Sequence, residues 1–389
     1  MSVTAAQGFR AAGVSAGIKA SGDPDLALVA TIDGQPVTAA AVFTQNKSTA
    51  APVVVTRAHL EATHGRAAAV ILNSGNANAA TGAQGKQAAE RMCAAAAAQL
   101  RCEPHEVLVC STGLIGIHLP VEKIEAAAPQ LAAALQDQGG PNAARAIMTT
   151  DTKQKEVVVH GPKAGFTIGG MAKGAAMLAP NMATMLAVLT TDAAADPDDL
   201  RKALQQAVAK SFNTLTVDGC TSTNDTVIVL ANGRAGATDI GDLTQALTEA
   251  CRSLAEQMAG DAEGATKVVR LTVTGATTDE EAAKGARKTA ESQLCKCSWY
   301  GQDPYWGRIV SELGSAGISF DPDTVSVAYG GVTVAQRGIA IDHDEHAVKQ
   351  HMAQPNLHIV ADLGLGNGTA TVLTNDLTHA YVDENMGTS

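Results

Sequence analysis

Short apolar runs alternate along this chain with longer Ala-rich stretches whose apolar positions recur every three or four residues. The short runs are rich in Val, Ile and Leu and are bounded by Gly, Asn or Asp. They predict strands at residues 26–32, 67–72, 106–110, 156–160, 184–190, 227–231, 268–273, 325–329 and 357–361. The longer stretches predict helices at 86–100, 121–137, 197–212, 242–258 and 279–293. The helix at Pro197 has a clear start: Asp196 at the N-cap, proline at the first helical position, and acids behind it. In 121–137, Glu122, Lys123 and Glu125 mark the exposed face. Such alternation predicts an α/β (α+β) fold, a layered sandwich of sheets flanked by helices. No period of 20–50 residues runs through it, which disfavours solenoids and propellers. The pattern softens at 193–199 and again around 277–281.

Composition narrows this picture. A length of 389 residues suits two domains, or two lobes of one, at ~100–200 residues per domain. Hydrophobic residues make up 46% of the chain, enough for a large core. Lys and Arg number 28 against 39 Asp and Glu, so the net charge is 28 − 39 = −11. That balance argues against nucleic acid or an anionic membrane as partner, because both need a basic face. With aromatics at 3%, base-stacking platforms are disfavoured too. The chain has no apolar run of ~20 residues, and its first residues lack the basic and apolar regions of a signal peptide. Seven cysteines lie scattered at 93, 102, 110, 220, 251, 295 and 297, unlike a secreted disulfide framework. A cytoplasmic protein with reduced thiols is the expectation.

Several motifs carry little. Gly364-Leu-Gly-Asn-Gly368 resembles a nucleotide loop, but its third glycine is misplaced and a strand follows, so a tight hairpin is expected. His343-Asp-Glu-His346, with His351 beyond, has no H-E-x-x-H pattern, and its acids fit a solvated helix start; no metal is expected. Cys295-Lys-Cys297 lacks a second pair to complete a zinc site. Read as a strand it turns both thiols to one face, and buried thiols are expected. Asp218-Gly-Cys-Thr-Ser-Thr-Asn-Asp225 reads equally well as a loop of Asx and Ser/Thr turns or as a structured loop under an active site.

Chemistry is better placed at three segments that join Gly and small polar side chains to strand ends: Asn73-Ser-Gly-Asn-Ala-Asn78, Ser111-Thr-Gly113, and Gly169-Gly-Met-Ala-Lys-Gly174, which runs on to Pro180-Asn-Met-Ala-Thr184. A threonine hydroxyl is a weak nucleophile without a base beside it. Chain cleavage just before Thr184 would free an α-amine of unperturbed pKa ~7.7–8 to serve as that base. A threonine opening a strand is also ordinary.

These motifs together carry a resemblance. Met171-Ala-Lys-Gly-Ala-Ala-Met-Leu-Ala-Pro-Asn-Met-Ala-Thr-Met-Leu186 resembles the self-cleavage segment of the glutamate N-acetyltransferase (ornithine acetyltransferase) family of arginine biosynthesis. Gly8-Phe9, Gly17-Ile-Lys19, Val42-Phe-Thr44, Ala51-Pro-Val53, Asn73–Asn78, Ser111–Gly113 and Met148-Thr-Thr-Asp-Thr152 follow the family in order. So do Val217-Asp-Gly219, Ser222-Thr-Asn-Asp225, Glu263-Gly-Ala-Thr-Lys267, Asp303-Pro304 and Trp306-Gly-Arg308, so the likeness spans nearly the whole chain.

The resemblance implies a self-cleaving N-terminal-nucleophile fold. Cleavage between Ala183 and Thr184 would give an α chain of residues 1–183 and a β chain of 184–389, whose C-terminal lobe begins at about 280. It implies acetyl transfer from N2-acetylornithine to glutamate through an ester on Thr184, giving ornithine and N-acetylglutamate. No cofactor or metal is implied, and some members also take acetyl-CoA as donor. Two α and two β chains would form a heterotetramer. Thr112 and Gly113 match the oxyanion positions, by a hydroxyl and a backbone N–H. Lys173 matches a substrate-contacting lysine that holds the substrate carboxylate or lowers the nucleophile's pKa. Thr150 matches the substrate-binding threonine, with Thr149 and Thr152 beside it. Glu263 matches a substrate contact suited to the ornithine amine, and the C-terminal match points to Asn385 and Ser389.

The chain departs from the family at several places. Lys173-Gly-Ala-Ala-Met177 stands for the usual Lys-Gly-Ser-Gly-Met, Cys220 for an aspartate, 294–300 for a more aliphatic stretch, and Tyr305 for a common asparagine; the tail is one residue shorter. These departures bear on which amine is accepted. The alternative enzyme is a self-processing amidase or aminopeptidase, in which water takes the acyl group. The non-catalytic alternative is a binding or assembly protein that has lost cleavage.

Overall fold

Runs of Val, Ile and Leu become strands here because most of the sheets are covered on both faces, where a continuous apolar sequence is at home. The computed structural model describes residues 2–161, 165–178 and 185–387 and places these runs in three sheets. The chain divides into two compact units. The first takes the chain up to Asn213 and then Cys220–Met258; the second takes Thr214–Gly219 and the chain from Ala259 on. The soft stretch at 193–199 is therefore internal to the first unit, and the second unit begins ahead of 277–281.

In the first unit, a four-stranded sheet runs in the order Phe9–Val14, Leu26–Thr31, Ala69–Asn73, Val107–Ser111. A six-stranded sheet runs in the order Arg66–Ala67, Val37–Phe43, Thr226–Ala237, Leu186–Ala194, Thr167–Lys173, Lys155–His160. Their inner faces meet: Phe9, Val29, Leu72 and Leu108 pack with Met171, Val188, Ile228 and Leu230. Helices Gly82–Leu100 and Val121–Ala133 cover the outside of the smaller sheet, burying Met92, Ile124 and Leu131 with Leu28, Ile71 and Val109. Helix Pro197–Ala209 packs on Val37–Phe43, and Gln257 of helix Ile240–Ala259 bonds the backbone of Glu156. The result is an αββα sandwich, the layered α/β architecture expected.

Some elements differ from the sequence pattern for identifiable reasons. Strands Phe9–Val14 and Thr167–Lys173 are built largely from Ala and Gly, which carry no strand signal alone. Val53-Val-Val55 looks like a strand but lies in helix Ala51–Ala62, which has proline in its first turn. The helix at Val121 stops at Ala133 because Gln136 pairs through its backbone with Ala11.

The second unit carries a six-stranded mixed sheet in the order Ile339–Ala340, Val332–Gln336, Ser326–Tyr329, Asn356–Asp362, Val268–Ala276, Gly368–Asn375. Helices Asp279–Ala290, Gln293–Tyr300, Trp306–Gly314 and Glu345–Met352 share its core through Ala286, Trp299, Leu313 and Met352. Two expectations are corrected here. Gly364–Gly368 is not a tight hairpin: the strands it joins are separated by Val268–Ala276, and Leu365 and Gly366 donate to Gly275 O on that intervening strand. Cys295 and Cys297 lie on a helix, not a strand. Two residues on a helix turn about 200°, so Cys295 is buried and Cys297 exposed. His343 precedes helix Glu345–Met352, whose N-cap is Asp344; the start of that helix is solvated.

The thiols supply a direct check. Burial pushes the Cys295 thiol up to about 11 and those of Cys110 and Cys251 up to about 12, and raises Cys93 as well. Iodoacetamide on the native protein should label exposed Cys220 and Cys297 and spare Cys93, Cys110, Cys251 and Cys295 until denaturant is added. Peptide mass spectrometry reads this out; native labelling of Cys295 at the rate of Cys297 would contradict the helix.

Candidate functional site

Two parallel neighbours, Ala69–Asn73 and Val107–Ser111, end in register at Asn73 and Ser111. Polar loops at such strand ends are natural carriers of a site. The two loops are tied together: Thr112 N donates to Asn73 O at 3.0 Å, and Asn76 forms a bridge with Thr112. Gly113 has a φ of +131°, and a Cβ there would stand 2.3 Å from the Gly75 carbonyl carbon, so only glycine lets the loops approach this closely.

The polar segment 218–225 settles as a structured loop behind them. Asn224 is buried, and its Nδ2 donates to Ala77 O at 2.6 Å and Ser111 O at 2.9 Å, strapping both loops. Asp225 is fully buried and accepts the Met185 N–H at 2.9 Å. Burial is the main reason its carboxyl sits well above the usual carboxylate range; the Met185 N–H, Ser222 and Lys173 pull the other way.

Strand Thr167–Lys173 delivers Lys173 to this place, in register with Leu186. Lys173 is 2% exposed. Its Nζ donates to Thr112 Oγ1 at 3.1 Å and Thr149 Oγ1 at 2.7 Å. Thr112 therefore has its backbone N–H committed to Asn73 and its oxygen to Lys173, which leaves its hydroxyl proton to be donated elsewhere. Asp151 adds a carboxylate beside the lysine. It accepts from Gly174 N at 2.7 Å, Thr149 N at 3.0 Å and Lys155 Nζ at 2.6 Å. Burial would raise its pKa; the Lys173 and Lys155 charges and the bonds from Lys155 and Gly174 outweigh that and hold it at about 2. Lys19, half-buried, donates to Met148 O at 2.7 Å and Pro24 O at 3.0 Å. Burial lowers its pKa and the like charge of Lys173 adds to that, against Asp25 and Asp23.

Of the residues expected from sequence, Thr112, Gly113 and Lys173 lie in the first unit, with Lys173 on Thr112. Thr150 is exposed, and it is Thr149 whose hydroxyl meets Lys173. Glu263 and Asn385 come together in the second unit: Asn385 Nδ2 donates to Glu263 Oε2 at 2.8 Å. A Cβ at Gly264 would stand 2.3 Å from Tyr381 N, so glycine there permits helix His379–Asn385 to sit against this loop. Ala183, Thr184 and Ser389 lie outside the described residues. Among the described residues no His, Cys, Asp and Glu side chains cluster in threes as a metal site. The sequence alone did not disclose the roles of Lys19, Asp151, Lys155, Asn224 and Asp225, although all of them except Lys155 stand inside the segments marked above.

A buried ammonium held on hydroxyls beside a glycine-bearing strand-end loop, in an αββα core, is an arrangement suited to stabilising developing negative charge, which acyl transfer needs. The comparisons with known proteins agree. Residues 10–387 match the ArgJ family. The chain is 48% identical to the arginine biosynthesis bifunctional protein ArgJ of Mycolicibacterium paratuberculosis, over 100% of this chain and 96% of that one. It is 46% identical to the protein of the same name from Streptomyces coelicolor, over the whole of both chains. Among solved structures, it is similar to the ornithine acetyltransferase of Mycobacterium tuberculosis complexed with ornithine, at 49% identity over 46% of this chain and 94% of that chain, with a TM-score of 0.44. The chain belongs to the ArgJ family. It is an acetyltransferase of arginine biosynthesis.

Asp225 generates a stability prediction. Its folded pKa lies above the ordinary 3.8, so the folded chain keeps a proton that the unfolded chain has released. The stability this group contributes is complete below about pH 4 and declines as pH rises towards its folded pKa. Asp225→Asn should flatten the fall of stability between pH 5 and pH 8, measured by urea unfolding. A slope equal to wild type would show that Asp225 is ionised in the fold.

Proposed function

We propose that this chain transfers an acetyl group from N2-acetylornithine to glutamate through an ester on Thr184, after cutting itself between Ala183 and Thr184. The observation that carries this reading is the bond from Lys173 to Thr112, at the end of a strand whose register partner, Leu186, is two residues past Thr184 in sequence. The family and the names of its members support the pathway.

Self-cleavage begins when the Thr184 hydroxyl adds to the Ala183 carbonyl. The Ala183–Thr184 C–N bond breaks, nitrogen takes a proton, and water hydrolyses the resulting ester to leave a free Thr184 α-amine. In turnover that amine removes the hydroxyl proton as Thr184 Oγ attacks the acetyl carbonyl of N2-acetylornithine. The developing oxyanion is met by the Thr112 hydroxyl and the Gly113 N–H. Ornithine departs with the proton on its α-nitrogen. The glutamate amine then attacks the acetyl ester, N-acetylglutamate leaves, and Thr184 regains its proton. Both half-reactions present an α-carboxylate, which suits the Lys173 ammonium. Acetyl-CoA serves as a second donor to the same threonine, in keeping with the bifunctional name of the relatives. The working enzyme is a cytoplasmic heterotetramer of two α and two β chains, needing no metal or further cofactor.

Three outcomes test this. Edman sequencing of the purified protein should read a second start, Thr-Met-Leu-Ala, and Thr184→Ala should remain one full-length chain. Mixing the wild type with acetylornithine alone should add one acetyl group to the fragment beginning at Thr184, and initial rates should give parallel double-reciprocal lines. An active enzyme without the adduct rejects the ester route, and steady ornithine release with no acceptor present favours an amidase instead. Thr112→Ala should stay folded and lose roughly 10²–10³ in turnover, the usual scale for one oxyanion donor; undiminished turnover would remove Thr112 from the chemistry.

A further inference from the structure

We infer that the buried pair Asp151–Lys155 is a positioning unit for Lys173, setting both where that ammonium sits and how strongly it stays charged. The proposal deepens the reading above, and rests on it only for what Lys173 does to substrate.

The geometry is specific. Asp151 Oδ1 accepts from Lys155 Nζ at 2.6 Å and from the N–H of Gly174, the residue directly after Lys173, at 2.7 Å. Asp151 Oδ2 accepts from Thr149 N at 3.0 Å, while the hydroxyl of that same threonine takes the Lys173 ammonium at 2.7 Å. One carboxylate thus fixes the backbone behind the lysine and the backbone of the threonine in front of it. The Asp151 and Lys155 side chains are 0% and 1% exposed, so water does little to screen them. A carboxylate buried next to a functional ammonium favours its charged form. Lys155 moderates this field: without it, Asp151 would face Lys173 as an uncompensated buried anion. Lys19, from the loop around 15–25, is a further charge that acts on Lys173, and the Asp225 carboxyl, held protonated by burial, lies within its electrostatic reach from the polar loop behind the site. Lys19 feels the Asp151 charge too, which favours its protonated form.

The two members of the pair should therefore push Lys173 in opposite directions, which a scaffolding role cannot do. The test is a pH titration of the lysine Nζ signals of the full-length protein by NMR, with the Lys173 signal assigned by its loss in Lys173→Arg. Asp151→Asn keeps the shape and removes the negative charge; the Lys173 midpoint should fall by about one pH unit. Lys155→Met leaves the aspartate uncompensated, and the midpoint should rise by a similar amount. Lys155→Arg, which keeps the charge, should restore the wild-type midpoint. In acetyl transfer, the basic limb of kcat/KM for acetylornithine should move with these midpoints. Shifts of the same sign in both variants, or no shift in Asp151→Asn, overturn the proposal. If Lys155→Met does not yield folded protein, Asp151→Asn and Lys155→Arg decide by the same criteria. A protein whose Lys173 responds as stated but carries no acetyl group to glutamate keeps the positioning pair and rejects the acetyl-transfer reading instead.

Discussion

A lysine ammonium shut away from water is the constraint that organises the first unit. Lys173 is 2% exposed, and an isolated buried ammonium would lose its proton rather than persist as a charge. The site answers with hydroxyls from Thr112 and Thr149 and with the Asp151 carboxylate close by. That carboxylate is itself fixed by two backbone N–H groups and by Lys155. Breaking a buried pair of this kind by removing one partner typically costs about 3–5 kcal/mol. The demand for compensation explains why three separate segments, 111–113, 149–155 and 173–174, converge in one place.

The sheet packing makes that convergence possible. Lys173 ends a strand of the larger sheet, and Thr112 follows a strand of the smaller one. The inner faces interlock through Leu108, Leu72, Met171 and Val188, which holds the two strand ends within hydrogen-bonding reach. Asn224 then stitches the two loops of the smaller sheet from behind, and Asp225 reaches from the same loop to Met185. The backbone groups of tight loops have no sheet ladder to satisfy them, and buried side-chain amides and carboxylates supply their partners instead.

The second unit repeats the theme with other residues. Lys296 is buried between Thr374 Oγ1, at 3.1 Å, and Asn375 O. Burial lowers its pKa to about 8, with Asp376, Asp218 and Glu291 opposing. Asp376 caps the N–H groups of Thr266 and Lys267 at 2.9 Å. These bonds anchor the stretch that leads into helix His379–Asn385 and so to the Asn385–Glu263 contact. Within Cys295-Lys-Cys297, the lysine faces inward and anchors a strand end.

Much of this protein was legible in its sequence. Runs of Val, Ile and Leu bounded by turn residues read as strands, and a capped, proline-started, acid-rich segment such as 196–199 reads as a helix start, because both signals are local; Val53-Val-Val55, inside helix Ala51–Ala62, is the exception. The Lys173, Thr112 and Gly113 segments were legible as well, since strand-end loops of glycine and small polar residues announce themselves. Other features are decided by distant partners. Strands made of Ala and Gly form because a neighbouring strand offers its hydrogen bonds. A Cys-x-Cys segment becomes a helix because Trp299 and Cys295 have a core to enter. Gly364–Gly368 closes over Val268–Ala276 because that strand occupies the gap. Likewise, the sequence marked 148–152 but could not choose among its threonines, nor see that Asp151 would need Lys155. Sequence by itself determined which residue types stood ready for chemistry; the tertiary structure decided which of them share one buried volume, because the energy of a buried charge depends on what surrounds it in space and not on what adjoins it along the chain.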